Sequence, residues 1–269
     1  MFWNRVLEIM DTSMTTPVPY GWFHLLFFAL SIAAGVLLCR FGKKDESSVR
    51  RVVLITAITV ILLEVYKLIN FGASYEGEIS YSFPWYAFPF QFCSTPMYVG
   101  LLAGLTRGRV HRSACAYLAT YALFAGLCVM LYPTTVFVST IGINIQTMIC
   151  HGSMLSIGIY LLGVDYVPAT HKTLLHALPV FAAAVAIAIG LNEWAFQTGI
   201  TENHSFNMFF FSPHSEPHLV LFSDVQRALG VENKLNYLVY VAAFTLAAYV
   251  VLMAAKGIRA LLCSPRCKA

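Results

Sequence analysis

One cysteine stands in a context that suits chemistry at a membrane. The segment 88–99 reads FPFQFCSTPMYV, with Gln91 two residues before Cys93 and Pro96 three residues after it. Near the start of a helix a thiol ionises more easily, because the helix macrodipole stabilises negative charge there. A thiolate attacks ester carbonyls and holds the acyl group as a thioester. The alternative is that Cys93 only fills space, as buried cysteines commonly do.

A nucleophilic cysteine needs a base, and His151 is the candidate. It lies in the segment QTMICHGSM, near the middle of an apolar block. An imidazole inside a membrane must hydrogen-bond to another group, because an unpaired polar group is costly there. Nucleophile and base need only be adjacent in space, so they can come from different helices. We therefore predict that His151 acts on Cys93, first as general base and then as general acid.

Further polar residues are candidates for substrate binding. Glu64 and Lys67 are three residues apart, so they share a helix face and can pair. They would bind a lipid head group or orient His151, or else form a purely structural ion pair. Gln91, or backbone N–H groups at the start of the third predicted helix, would stabilise the oxyanion. The remaining candidates are His24, which would otherwise anchor its helix at the interface, and Asn203 and Asn207 at the cavity mouth.

The chain shows no pattern that indicates a metal or another cofactor, and we expect none. Histidines 204, 214 and 218 share one long loop, but their spacing matches no zinc pattern. The seven cysteines are odd in number and do not indicate a disulfide framework. We interpret four of them as packing residues, because they lack both a helix start and a base: Cys39, Cys115, Cys128 and Cys150.

The composition is that of a polytopic membrane protein. Of the 269 residues, 58% are hydrophobic and 11% are charged, and the mean hydropathy is +0.70. Soluble domains carry roughly 25% charged residues, and a soluble interior of this length would not hold so much apolar surface. The net charge of +4 does not indicate a nucleic-acid partner, because the basic residues fall between the apolar blocks.

Seven apolar blocks approach or reach the length of about 20 residues that a membrane helix needs. They predict an all-α, seven-transmembrane-helix bundle that forms one transmembrane domain over residues 1–269. A long outer loop, 194–234, precedes the last helix, and no internal repeat supports an inverted-repeat transporter. The predicted helices cover residues 20–40, 52–71, 88–106, 113–132, 143–163, 173–193 and 235–262.

The distribution of basic residues predicts the orientation of the bundle. Cations cluster in segments 40–51 and 107–112 and in the C-terminal tail, whereas 72–87 and 133–142 contain neither Lys nor Arg. By the positive-inside rule, the N-terminus is outside and the C-terminus is cytosolic. The candidate polar residues then lie in the outer half or at the midplane, which indicates a polar cavity open to the outer face.

Several stretches, taken together and in order, resemble one family of membrane proteins. The stretches are HLLFFALSIAAGVLLCR, LLEVYKL, FPFQFCSTPMYVGLLAGLTR, CHGSM, VPATHKTLLHALPV and NHSFNMFFFSPHSEP. Their order and spacing are similar to those of the bacterial YwaF-type integral membrane proteins, which belong with the animal transmembrane protein 164 family.

This resemblance implies a seven-helix bundle and, for the animal branch, a cysteine-dependent acyltransferase acting between phospholipids and ether lysophospholipids. The nucleophile of that branch begins the third helix, where Cys93 stands, and the family's His-Gly pair falls on His151 and Gly152. A related group, the androgen-induced membrane hydrolases, cleaves lipid esters. The chain departs from the pattern at Gln91, where bacterial relatives often have histidine. It departs again at LGVENKLNY, where the family has a Gly-Pro-Trp-Pro-Trp-like segment.

The leading hypothesis is a membrane lipid acyltransferase that moves acyl chains between phospholipids and lysophospholipids through a thioester on Cys93. One alternative is a lipid ester hydrolase, and another is a small-molecule transporter or channel whose polar site includes His151. A retinal protein would need a lysine deep in its last helix, but Lys234 and Lys256 lie at its two ends. We expect an integral protein of a bacterial plasma membrane or a eukaryotic endomembrane.

Overall fold

The computed structural model describes residues 2–133, 136–216, 219 and 222–262, and these residues are mostly helical. Two short antiparallel strands, β1 (Ala73–Tyr75) and β2 (Ile79–Tyr81), form a hairpin at one end of the bundle. The helices are α1 (Phe2–Met10), α2 (Trp22–Phe41), α3 (Glu46–Gly72), α4 (Thr95–Leu105), α5 (Gly108–Tyr117), α6 (Leu123–Leu131), α7 (Ile141–Gly163), α8 (His171–Gln197), α9 (Ile200–Asn203), α10 (Phe222–Leu229) and α11 (Leu235–Leu262).

Six helices of the described chain are long and apolar enough to cross a membrane, which confirms the prediction of an all-α membrane bundle. Five of them are α2, α3, α7, α8 and α11. The sixth is the continuous helix Gly108–Leu131, in which a π-helical turn, Leu118–Ala122, joins α5 to α6. The third of the seven predicted spans, 88–106, has no helix long enough to cross a membrane in the described chain.

The third predicted helix, 88–106, is helical only from Thr95 onward. Its helical part, α4, has 11 residues and is therefore about 16 Å long, roughly half of a hydrocarbon core of about 30 Å. Pro96 is in the first turn of α4, where a missing N–H costs nothing. Deeper inside a helix the same proline would remove a hydrogen bond and clash with the preceding turn. Residues 88–94 are therefore irregular.

Two helices form the centre of the bundle. In Gly108–Leu131 and in α7, 72% of the most apolar window is buried, against 17–28% for α2, α3, α8 and α11. The outer helices expose large aliphatic side chains, such as Leu62 and Leu246. In a bilayer these side chains face lipid tails, because tails are as apolar as leucine.

Small residues let the two central helices approach each other closely. A Cβ added at Gly126 of α6 would lie 2.9 Å from the carbonyl oxygen of His151, and one at Gly158 of α7 would lie 2.7 Å from the Cβ of Leu123. Helix pairs in membranes rely on such residues, since packing rather than water exclusion holds them together. The position of α7, and with it His151, depends on this contact.

Opposite the hairpin, Asp165 ties three parts of the chain together. Its carboxylate accepts a 2.6 Å hydrogen bond from Arg259 of α11 and lies 3.7 Å from the Lys44 ammonium, before α3. The hydrogen bond from Arg259, together with both positive charges, lowers the pKa of Asp165 below its ordinary value. Because the folded state favours the ionised carboxylate, Asp165 stabilises the fold at neutral pH. This stabilisation is lost as the pH falls through the lowered pKa of Asp165.

We expect Gly158→Ala to lower the free energy of unfolding by about 1–3 kcal/mol, because the added methyl group overpacks the interface with Leu123. Thermal unfolding in detergent measures the effect. Gly190→Ala is the matched control, because its Cβ would meet no atom within 4 Å. Equal destabilisation by the two variants would contradict the close-packing interpretation.

We expect Asp165→Asn to cost about 0.2–1 kcal/mol at pH 7, because the ion pair is partly exposed. Asparagine tolerates the positive φ of 57° found at this position. Unfolding in detergent is measured at pH 7 and at a pH below the lowered pKa of Asp165. The difference in unfolding free energy between the wild type and Asp165→Asn should vanish at the lower pH, where the Asp165 carboxylate is protonated. A difference that persists there would contradict the link between this ion pair and stability.

Candidate active site

Two irregular segments, 88–94 and 204–211, meet inside the bundle through the side chain of Gln91. Its Nε2 donates to the carbonyl oxygen of Asn207 at 2.8 Å, and its Oε1 accepts from the N–H of Phe209 at 2.9 Å. Irregular backbone at membrane depth needs such partners, since lipid offers none. Both ends of the Gln91 amide are thus occupied in holding the two segments together.

The second segment is strained where Gln91 holds it. Phe209 and Phe210 both have a φ of 58°, a conformation that bulky side chains rarely adopt. Strain of this kind costs on the order of 1–3 kcal/mol per residue and persists where the surroundings impose it. Here the hydrogen bond from Phe209 to Gln91 and the buried Phe209 ring, packed against Phe90 and Phe92, hold the conformation.

Cys93 lies deep in the bundle. Because Gly100 and Gly104 of α4 pack against Ala57 and Leu54 of α3, the helices run antiparallel. The start of α4 therefore reaches the middle of α3. The sequence predicts the candidate residues in the outer half or at the midplane of the membrane, and the structure places Cys93 at the level of the middle of α3, because α4 is short.

Cys93 lines two cavities. The smaller has a volume of about 30 Å³ and also contains Cys150, Ser153 and Thr56 in its wall. The larger has a volume of about 550 Å³ and lies between α6 and α11. Its size is typical of small-molecule sites, which range from about 300 to 1,000 Å³. Its wall is almost wholly apolar and includes Phe92, Phe124, Cys128, Tyr240, Ala243 and Phe244.

The π-helical turn Leu118–Ala122 helps to form the site. Leu118 and Ala122 line the smaller cavity, and the hydroxyl of Tyr117, just before the turn, lies 2.7 Å from Thr95 Oγ1 at the start of α4. Single π turns inside α-helices are frequent at functional sites. This turn could not be predicted from the sequence, since its residues fit an ordinary apolar helix.

His151 is buried in α7, with 9% of its surface exposed. Its Nδ1 lies 2.8 Å from the Thr147 carbonyl oxygen, which can only accept, so the proton is on Nδ1 and Nε2 keeps a lone pair. No hydrogen bond joins His151 to Cys93 in the described chain. His151 itself does not line the smaller cavity, but Cys150, one position before it, shares a wall of that cavity with Cys93.

A buried polar network lies beside the Cys93 cavity. Lys67 Nζ donates to Glu64 Oε1 at 2.5 Å, and Gln146 Nε2 donates to Glu64 Oε2 at 3.1 Å and to Cys150 Sγ at 3.4 Å. The predicted pairing of Glu64 with Lys67 is present. We had interpreted Cys150 as packing only, because sequence spacing does not show that Gln146 and Glu64 meet across two helices.

The remaining candidates, His24, Asn203 and Asn207, are not among the residues that line the two Cys93 cavities. Both ring nitrogens of His24 are bonded, Nδ1 to the N–H of Tyr20 and Nε2 to the Met130 carbonyl oxygen, so this ring ties α2 to the end of α6. Asn203 is exposed at the end of α9. Asn207 is 7% exposed, and its Nδ2 is a buried donor without a hydrogen-bond partner among the described residues. Their predicted roles in substrate binding stay predictions.

No group of three potential metal ligands occurs among the described residues. His204 is exposed, and His214 instead stacks on Phe196 and lies 3.1 Å from a carboxylate oxygen of Glu193. His218 lies outside the described residues. The histidines of the long loop thus form no visible cluster.

Comparison with known families agrees with the sequence resemblance. The model of the TMEM164 family matches residues 17–255, nearly the whole chain, and the chain belongs to this family. No curated protein and no solved structure matches it significantly. Together with the six apolar helices, family membership makes the chain an integral membrane protein.

We expect Lys67→Met to lower the free energy of unfolding by about 3–5 kcal/mol, because it leaves the Glu64 carboxylate buried without its counter-charge. The double variant Glu64→Gln/Lys67→Met should lose less, because neither charge remains. Thermal unfolding of the wild type, both single variants and the double variant gives the coupling energy. A double variant that is less stable than Lys67→Met would refute the buried-pair interpretation.

Proposed function

We propose that this member of the TMEM164 family transfers acyl chains between membrane phospholipids and lysophospholipids through a thioester on Cys93. The observation that carries the proposal is the position of Cys93 in the wall of an apolar cavity of about 550 Å³. Such a cavity suits an acyl chain, and of the two thiols on its wall, Cys93 and Cys128, Cys93 is the one just before α4. The membrane would be a bacterial plasma membrane or a eukaryotic endomembrane.

In the first half-reaction, the Cys93 thiol passes its proton to Nε2 of His151, and the sulfur attacks the carbonyl carbon of a phospholipid ester. A carbon–sulfur bond forms and the carbonyl oxygen becomes an oxyanion. As the intermediate collapses, the carbon–oxygen bond to glycerol breaks and the glycerol oxygen takes the proton from His151. The products are acyl-Cys93 and a lysophospholipid.

In the second half-reaction, the hydroxyl of an acceptor lysophospholipid gives its proton to His151 and attacks the thioester carbon. The carbon–sulfur bond breaks, the sulfur recovers the proton, and a new phospholipid leaves. The resting tautomer of His151 supports its role as base, since Nδ1 carries the proton and Nε2 is free to accept one.

The two side chains must come together for the proton transfer. Cys93 and His151 are not hydrogen-bonded in this structure. Cys93 lies at the level of the middle of α3, and His151 lies near the middle of α7. Cys93 also shares a cavity with Cys150, the residue before His151. Catalytic hydrogen bonds in substrate-free enzymes are often long and tighten in the substrate complex. We infer that the bound ester draws Cys93 and His151 into contact.

The oxyanion needs a hydrogen-bond donor. The N–H groups of Ser94 and Thr95 both point to the Gln91 carbonyl oxygen, and Pro96 has none. The Gln91 side chain is likewise occupied. Within the described chain, Asn207 Nδ2 is a buried side-chain N–H that remains unused. The backbone carbonyl oxygen of Asn207 accepts a hydrogen bond from the Gln91 side chain, which ties Asn207 to the segment that contains Cys93. We therefore favour Asn207 Nδ2 as the oxyanion donor, with a shift of its segment when the substrate binds.

A lipid ester hydrolase is the second candidate, favoured by the smaller cavity. A volume of about 30 Å³ exceeds the roughly 10–15 Å³ that a water molecule needs. The hydroxyls of Thr56 and Ser153 in its wall are possible partners for such a water. Water would then replace the lysophospholipid in the second half-reaction and release a fatty acid.

The decisive experiment uses the purified protein in lipid with a phospholipid that carries a labelled acyl chain. We expect a thioester on Cys93 by mass spectrometry, and its loss in Cys93→Ala. Cys128→Ala is the matched control and should keep the label, because Cys128 lines the same cavity away from the start of α4. His151→Ala should slow acylation by about 10²–10⁴-fold, the usual contribution of a general base.

Added lysophospholipid distinguishes the two candidate reactions. A labelled phospholipid product indicates transfer, whereas labelled fatty acid alone indicates hydrolysis. If Cys93 stays unmodified and Cys93→Ala keeps full turnover, thioester chemistry is wrong. A transporter whose polar site includes Glu64 and Lys67 would then become the leading explanation.

A further inference from the structure

A second large cavity lies at the other end of the bundle and has a different chemical character. Its volume is about 620 Å³. Its wall is built from the start of α3, the second half of α5, the segment after α7 and the start of α8. The charge distribution predicts that this end of the bundle is cytosolic. The cavity is thus separate from the Cys93 site, which α4 places near mid-helix.

The wall of this cavity contains two cations, Arg112 of α5 and Lys172 of α8. Within the part of the chain that the structure describes, neither cation forms an ion pair or a side-chain hydrogen bond. Glu46 is the one carboxylate in the wall and lies beyond ion-pair distance of both. The site therefore has a net positive charge without internal neutralisation.

Hydrogen-bonding groups stand beside these cations. The first turn of α8 lines the cavity through Thr170, Lys172 and Thr173, so the positive end of a 27-residue helix adds to the potential. Tyr166 is held in place in the same wall, since its hydroxyl donates to Nε2 of the buried His111 at 2.6 Å. Cations beside the positive end of a helix favour an anionic ligand such as a phosphate group.

The floor of the cavity is apolar and consists of Cys115, Ala116, Val167 and Pro168. A polar, cationic rim above an apolar floor suits a ligand that carries a phosphate group at one end and hydrocarbon at the other. Basic pockets between membrane helices recognise anionic lipid head groups in this way.

We propose that this cavity binds a phosphate group, carried by an anionic phospholipid of the adjacent leaflet or by a soluble phosphate ester, with Arg112 and Lys172 as its cationic ligands. The apolar floor favours the lipid. The binding is independent of chemistry at Cys93, so the Cys93→Ala variant should bind the same ligand equally well.

The test measures ligand retention by the full chain, purified in detergent, by native mass spectrometry. The probes are phosphatidylglycerol, zwitterionic phosphatidylcholine and glycerol 1-phosphate. We expect phosphatidylglycerol to bind more tightly than phosphatidylcholine. Arg112→Gln and Lys172→Gln should each weaken its binding about fivefold, the effect of roughly one cation near a membrane surface.

Two further variants show whether the cavity itself is responsible. Glu46→Gln removes the negative charge from the wall and should strengthen binding. Arg40→Gln, on the exposed last turn of α2, makes the same charge change outside the cavity and should leave binding unchanged. If Arg40→Gln weakens binding as much as Arg112→Gln, or Glu46→Gln has no effect, the cavity is not the site.

The probes also distinguish the two sources of the phosphate. Displacement of phosphatidylglycerol by glycerol 1-phosphate, with loss of both in Arg112→Gln, indicates that the phosphate alone is recognised and that a soluble ester suffices. Retention of the lipid against glycerol 1-phosphate indicates that the hydrocarbon contributes. Binding of neither probe above the level of phosphatidylcholine overturns the proposal.

Discussion

The pair of hydrogen bonds made by the Gln91 side chain is the contact on which the site depends. It joins two irregular segments that belong to distant parts of the sequence and that lipid could not satisfy. Because one of these bonds holds the strained backbone at Phe209, the same contact fixes the aromatic rings around Cys93.

Two polar arrangements lie beside Cys150, which shares a cavity wall with Cys93. Glu64, Lys67 and Gln146 satisfy one another, so their charge is balanced within the bundle. His151 uses one nitrogen on its own helix and keeps the other free. The site therefore combines an internally neutral network, which membrane burial favours, with a base that has remaining capacity. This combination is consistent with acyl transfer and gives Glu64 and Lys67 a structural role regardless of substrate.

Much of the fold followed from block length, because each crossing needs about 20 apolar residues. The starts of α2, α7, α8 and α11 were predicted to within two residues, whereas α3 and α5 begin six and five residues earlier than predicted. The pairing of Glu64 with Lys67 followed from their spacing, and the family membership from the ordered set of stretches. The late start of α4 was not predicted, because an apolar run such as 88–94 has the composition of a membrane helix. Pro96 is the residue that could have indicated this start. The partners of Gln91 and Cys150 depend on tertiary contacts, which spacing along one chain does not encode. The π turn has no sequence signal of its own.

The larger Cys93 cavity reaches the side of the bundle, since Cys128 of α6 and Ala243 of α11 on its rim are both exposed. A ligand entering there would arrive by lateral diffusion within the leaflet rather than from water. Its relevant concentration would then be a mole fraction in the membrane, and adding inert lipid would slow turnover by surface dilution even at constant total substrate. For the proposed reaction, the opening between α6 and α11 would thus make membrane composition itself a determinant of rate.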